Sequence, residues 1–499
     1  MGQGCILAID QGTTATKVLA VDHEITVQAE SNMEVALDNP RPGWVEFDAV
    51  SMWDSVKTGI ENVVNRGGIS AGDIRGIGVT NQRETIVLWD RKTGRPVAPA
   101  ISWQCKRSTP LCEQVIAAGH VETVRNKTGL FVDGYYSASK IAWLLAQDPE
   151  LRRGAENGEL AVGTVDSWII WNLTGGREHV TDVTNASRTL LFNIVEGRWD
   201  EELLRIWSIP RALLARVNMS SGFFGYTDPS IFGAEIPIMG CIGDSQSALF
   251  GQCAFEKGMA KNTYGTAANL DVNIGSSFLL SKHNLQTTIA WGVDGKITYT
   301  LEGGVYVAGA VIQWLRDKIG FVKDGAEADE IAMQLEDAGG VYFVPAFVGL
   351  GAPHWDSYAR GTIIGLSNAT SKEQIVRAGL ESIAYQVDDV LKAAELDTGE
   401  PVKSLRADGG VCQSDFLLQF QADISGTEVV RPRVIDTTAL GAAFMAGLGC
   451  GFWSGTGEIK KLWQSDRAFH PAMDETQRKV NLHGWQKAVG RSLSWLEKD

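Results

Sequence analysis

The chain has 499 residues, 44% of them apolar and 21% charged, and its 60 acidic against 45 basic side chains give a net charge of −15. At roughly 150 residues per domain this length suggests two large domains or three small ones, with apolar content enough for full cores and no low-complexity block. The acidic balance, without any window dense in Lys and Arg, speaks against nucleic-acid binding, which needs a basic footprint.

The N-terminal MGQGCILAID runs into an apolar strand with no leader pattern, so a cytoplasmic protein is expected. Residues 5–10, 17–22 and 25–29 read as three strands of a meander, with a turn at 11–14. From Asp48, Met52, Trp53, Val56, Ile60, Val63 and Val64 recur at helical spacing, and residues 74–79 and 85–89 return to strand. The pattern repeats in outline at 260–266, 268–274 and 297–301, which suggests two related halves, 1–252 and 253–499. Residues 338–355 lack full charges, but Pro345, Pro353 and several glycines would break a spanning helix, so they read as strand and loop near a site. No stable membrane association is expected. A capping box, Ser371 with Gln374, opens a helix that turns Ile375, Ile383, Val387, Val390 and Leu391 inward. The seven cysteines are scattered, odd in number and never in a C-x-x-C pair, as reduced thiols would be.

The chemistry sits at turns. Asp10-Gln11-Gly12-Thr13-Thr14 ends the first strand: Gly12 permits a tight turn, the Thr hydroxyls and backbone N–H groups suit phosphate oxygens, and Asp10 suits hydrated magnesium. An ordinary β-turn reads equally well from the pentapeptide alone. Tyr264-Gly265-Thr266 offers a matching turn in the second half, and Asp408-Gly409-Gly410 precedes a helix opened by Ser414. Gly441, Ala442, Ala443, Ala446 and Gly447 give the next helix a small face for close packing. Asp244, after the strand 236–242, reads as a general base or, as lone aspartates more often do, a helix cap. Asn81-Gln82-Arg83-Glu84-Thr85 joins two strands and suits a polyol, or forms a surface hairpin; Trp103 and Tyr135 suit a pocket wall, or the core. Neither a Walker-type phosphate loop nor a protein-kinase catalytic loop occurs.

Taken in order, AIDQGTTATK, GWVEFD, GVTNQRET, SWQCKR, GTVDSWIIW, TDVTNASRTLLFN, GDSQSALFGQ, GMAKNTYGT, LEGGVYVAGAVIQWLRD, GAPHWDSYARG, DGG and TALGAAFMAGL resemble the FGGY carbohydrate kinases from residue 6 to about 490. The resemblance implies an α/β fold of two actin-like (ribonuclease-H-like) domains that binds ATP and magnesium between them and phosphorylates a small polyol, glycerol first. Longer polyols or ketoses are the alternative acceptors, and a non-catalytic actin-like ATP-binding protein is the remote one. It further implies nucleotide contacts from Thr13, Thr14, Ala15, Lys17, Thr266, Gly309, Gln313, Gly410 and Ser414. Arg83, Glu84, Trp103, Tyr135, Asp244 and Ser245 fall on the polyol side, with Asp244 as base and Asp10 holding magnesium through water. A homo-oligomer is expected. The chain departs from the family pattern at Lys17, Ser245, Asn269 and Ser414. Where some relatives bind fructose bisphosphate it reads Pro229-Ser230-Ile231-Phe232-Gly233, so that regulation is not expected.

Overall fold

The computed structural model describes residues 4–497 and is built on two mixed sheets. In the first, Cys5–Gln11, Ala15–Asp22 and Val27–Glu34 form an antiparallel meander, and Cys5–Gln11 continues in parallel to Ile74–Asn81 and then Pro237–Gly243. In the second, Lys296–Val305, Ala268–Gly275 and Met259–Tyr264 form the meander, with Ser404–Asp408 and Val429–Pro432 continuing in parallel. Strand order and sense are therefore the same in both sheets, which is the duplicated actin-like plan.

Local chemistry accounts for the elements. Cys5–Gln11 is buried along nearly its whole length, as a central strand covered on both faces must be. The helix Ala49–Gly67 begins where Asp48 accepts a hydrogen bond from Val50 N and ends at Gly68, whose φ of 59° suits glycine. Its buried Met52, Val56, Ile60 and Val63 face the sheet. The helix Lys372–Thr398 opens with the expected capping box at Ser371 and Gln374.

Several boundaries differ from the sequence reading. The third strand runs Val27–Glu34, because Ile25 lies in the preceding turn with φ 60°. Residues 85–89 become Ile86–Asp90 and join a separate four-stranded sheet, so Asn81–Thr85 is a crossing between sheets and not a hairpin. Gln286–Val293, unforeseen, forms a hairpin with Lys296–Val305.

The two lobes join at the floor of a cleft. The helix Thr437–Gly449 of the second half lies on the first sheet, and its small face is what allows the approach. A Cβ added to Gly78 would run into the Ala442 carbonyl, and one added to Gly441 into that of Ser247. Ile6, Ala8 and Leu19 share one buried cluster there with Leu249, Phe250, Ala442 and Phe444. Among the described residues no helix is long and apolar enough to cross a membrane, and all seven cysteines are free.

Candidate active site

A cavity of about 750 Å³ opens between the lobes, lined by Arg83, Trp103, Tyr135, Arg188, Asp244 and Ser245 from the first half and by Gly265, Asn269 and Glu302 from the second. Five of the expected acceptor residues thus meet in one space. Glu84 is 1% exposed and not among the lining residues; its carboxylate accepts from Arg188 Nε at 2.5 Å. The Arg83–Glu84 turn is buried throughout, which rules out the surface-hairpin reading. Glu84 has φ 62°, a conformation uncommon for non-glycine residues and associated with functional turns.

Asp244 is the first residue of the helix Asp244–Gly251, and Gly243 holds the cap position, so the cap reading of Asp244 does not apply. Its carboxylate lies 3.0 Å from Arg83 Nε, accepts from Ser245 N at 2.7 Å, and keeps 39% of its side chain exposed to the cleft. Burial raises its pKa above the ordinary carboxylate value, with the Arg83 guanidinium opposing. A carboxylate made more basic in this way is better suited to accept a proton than an ordinary one.

Hydrogen bonds tie the first phosphate-type turn to the acceptor end. Trp103 Nε1 donates to Thr13 Oγ1 at 3.0 Å, and Trp103 and Tyr135 meet edge to face at 5.4 Å. Gln82 donates to the Gly12 carbonyl at 3.0 Å and accepts from Thr85, so the hairpin and the Arg83 turn are tied together. Thr14 stands exposed. In the second lobe Gly309 N donates to the Gly265 carbonyl at 2.9 Å and Ala308 N to that of Thr266 at 2.9 Å. Gly409, at φ 87°, packs where a Cβ would come within 2.5 Å of the Tyr264 carbonyl, while Gly410 faces open space. The turn Tyr264–Thr266 therefore packs against Gly309 on one side and Gly409 on the other.

The other expected nucleotide residues have the following surroundings. Lys17 is ion-paired with Asp436, a contact between the halves. Ser414 caps the helix Asp415–Ser425 through Leu417 N at 3.0 Å and also donates to Asp329. Gln313 is exposed on the helix Gly309–Trp314.

Asp10 carries the metal question. Burial, then the Asp244 carboxylate, raises its pKa to about 7, with Lys17 opposing and Asp436 adding negative charge. A cluster of carboxylates with one lysine among them suits a hard cation that takes oxygen ligands, so the residues fit magnesium.

Sequence reasoning missed the groups behind the site. Arg83 forks onto Glu302 at 2.7 and 3.0 Å, and Arg188 lies 3.2 Å from the same carboxylate. Ser245 Oγ donates to Asp271 at 2.5 Å and accepts from Lys261 at 2.9 Å and Asn269 at 2.7 Å. Gly243 N donates to Thr184 Oγ1 at 2.8 Å, and Thr184 is itself held by the buried Asp182. Little in the sequence marks Glu302, because its strand Lys296–Val305 also carries Lys296, Thr298 and Thr300.

Fold and cleft together define a two-lobed sugar-kinase architecture. A xylulose kinase structure from Lactobacillus acidophilus shares that fold, with a TM-score of 0.86 at 23% identity over 98% of this chain and 96% of that one. Residues 5–251 match the N-terminal domain, and residues 260–450 the C-terminal domain, of the FGGY family of carbohydrate kinases, and the chain belongs to that family. A glycerol kinase of Caldanaerobacter subterraneus is 50% identical over 493 residues, and glycerol kinase 2 of Thermotoga maritima 51% over 493, each covering 99% of both chains. The structure of Plasmodium falciparum glycerol kinase with ADP superimposes with a TM-score of 0.94 at 38% identity, covering 99% of both chains.

Proposed function

We propose that the protein transfers the γ-phosphoryl group of ATP to glycerol, giving glycerol 3-phosphate. The observation that carries this reading is Asp244: a half-open carboxylate with raised pKa, seated on Arg83 in the cavity that also reaches the Gly265 turn. The full-length similarity to glycerol kinases, one of them solved with ADP, supports the choice of acceptor and nucleotide.

In this mechanism Arg83, Tyr135 and Trp103 bind and orient the polyol, Glu84 acts with them through its buried carboxylate, and Ser245 holds the helix start. Asp244 accepts the hydroxyl proton as the phosphoryl group transfers in line. Thr13, Thr14 and Ala15 on one hairpin, Thr266 on the other, Gly309 at the start of the helix Gly309–Trp314 and Gly410 after the strand Ser404–Asp408 hold the phosphates by backbone and hydroxyl donors. Lys17, Gln313 and Ser414 complete the nucleotide side. Magnesium, held near Asp10 through water, supplies charge neutralisation on the phosphates when bound. A loose transition state makes positioning and charge the main contributions of the protein. Closure of the lobes would exclude water from the transfer.

The lobes divide at Gln252–Cys253 on this reading, between the end of the helix Asp244–Gly251 and the strand Met259–Tyr264. The free, mostly buried cysteines support a reducing, cytoplasmic setting. Light scattering on the purified chain tests the expected homo-oligomer, and a monomer across the accessible concentration range would refute it.

A second acceptor class has one observation in its favour: Ser245 and Asn269 make one wall of the cavity polar. Assaying glycerol, erythritol, xylitol, xylulose and ribulose side by side separates the two. Glycerol should show the highest kcat/KM; a longer polyol or ketose well above it would replace glycerol as the acceptor.

A further inference from the structure

The acceptor end of the cavity presents two arginines, and this inference, which rests on the proposed acceptor site, concerns why they are so tightly occupied. A free guanidinium fork is the ordinary grip for a carboxylate or phosphate. Neither fork is free here. Arg83 directs Nη1 and Nη2 to Glu302 and shares Nη1 with Gln246 Oε1 at 3.1 Å. Arg188 gives Nε to Glu84 and Nη1 to Gln286 Oε1 at 3.0 Å, and its Nη2 faces Glu302. Glu302, 3% exposed, comes from the strand Lys296–Val305 of the second lobe, whereas both arginines belong to the first.

The charge count points the same way. Arg83 and Arg188 face three carboxylates, those of Glu84, Glu302 and Asp244. The neighbouring Lys261–Asp271 pair, at 2.8 Å and wholly buried, is balanced within itself. An acidic acceptor entering this end would meet these three carboxylates in a poorly solvated space, and no open fork to offset its desolvation.

We infer that Glu302 is a specificity-determining residue: by taking the whole Arg83 fork and standing against Arg188 Nη2 from across the cleft, it restricts the site to neutral polyols and refuses acceptors that carry a carboxylate or phosphate. Selectivity thus comes from withholding a grip as much as from fitting the alcohol.

Glycerol and glycerate, which differ by one oxidised carbon, provide the test. With full-length enzyme and Mg-ATP, glycerate should be neither phosphorylated nor competitive with glycerol at concentrations well above the glycerol KM. Glu302→Gln should weaken glycerol use, chiefly through KM, and move the glycerate-to-glycerol ratio of kcat/KM toward the anion by about tenfold or more. Glu302→Asp should retain the ratio of the unaltered enzyme. An unchanged ratio in folded Glu302→Gln enzyme, judged by its melting curve, would overturn the inference. So would glycerate competing in the unaltered enzyme near the glycerol KM, an arm that decides the matter if the variant does not fold. Should the unaltered enzyme fail to turn over glycerol, the acceptor reading falls first, and calorimetric titration with both compounds still judges Glu302. Binding of glycerol alone upholds the inference; binding of glycerate, or of neither, rejects it.

Discussion

At the acceptor end of the cleft the polar groups are side chains that hold one another: Arg83 with Glu302, Arg188 with Glu84, Ser245 with Lys261, Asp271 and Asn269. At the phosphate end they are backbone groups on turns, with Thr14, Thr266 and Gly410 exposed and the glycines in close contact with neighbouring carbonyls. The contrast suits the two ligands. A small neutral alcohol offers few handles and needs a rigid, charge-balanced frame, whereas a triphosphate carries its own charge and needs many N–H donors at close range. The acceptor end should therefore respond to single side-chain changes, and the phosphate end to changes in backbone freedom.

The largest effect should come from the group where the two ends meet. Asp244→Asn keeps the shape but removes the proton acceptor, and kcat should fall about 1000-fold with ADP affinity by calorimetry nearly unchanged. Near-normal turnover would remove Asp244 from its role. Arg83→Lys discards the fork onto Glu302, and the glycerol KM should rise roughly 10- to 100-fold with a smaller loss in kcat; equal losses in both would place Arg83 in the chemical step instead. At the phosphate end, Gly409→Ala forces a side chain into φ 87° against the Tyr264 carbonyl. Denaturant titration should show about 1–2 kcal/mol lost, with ATP affected and glycerol binding spared.

A further effect, on stability and not on activity, lies outside both ends. Asp388 is 2% exposed, and burial raises its carboxyl to about 7, with Lys392 opposing. The folded chain then holds a proton that the unfolded chain has released above its ordinary value near 3.8. Stability should fall as pH rises from about 4 to 7, by at most ~1.4 kcal/mol per pH unit for one group. Asp388→Asn should flatten the melting temperature across that window, and an unchanged slope would show that the carboxyl is ionised when folded.

The same contrast sets how much could be read from sequence. The phosphate end depends on short local signals, such as Gly12-Thr13-Thr14 and Asp408-Gly409-Gly410, and these turns lie where the residues suggest. Asp48 and the Ser371–Gln374 capping box were legible for the same reason, since each acts within a single helical turn. The acceptor end depends on partners far apart in the chain. Arg83 and Glu302 are 219 positions apart, and Arg188 and Glu84 are 104. Arg83 and Glu84 were visible as a polar cluster, but nothing local says that a buried strand glutamate will take the Arg83 fork and face Arg188. The partners of Lys17 and Ser414 were hidden for a related reason: Asp436 and Asp329 lie far from them in sequence. Gln286–Val293 was overlooked because its first half, Gln-Thr-Thr, lacks the apolar alternation of a strand.

Following the phosphorus atom itself tests the central claim most directly, that one cleft passes a phosphoryl group from ATP to an alcohol beside Asp244. Phosphorus NMR of the enzyme with Mg-ATP and glycerol should show glycerol 3-phosphate appearing in step with ADP, without inorganic phosphate. ADP accompanied by free phosphate, or no nucleotide consumption when glycerol is added, would contradict it.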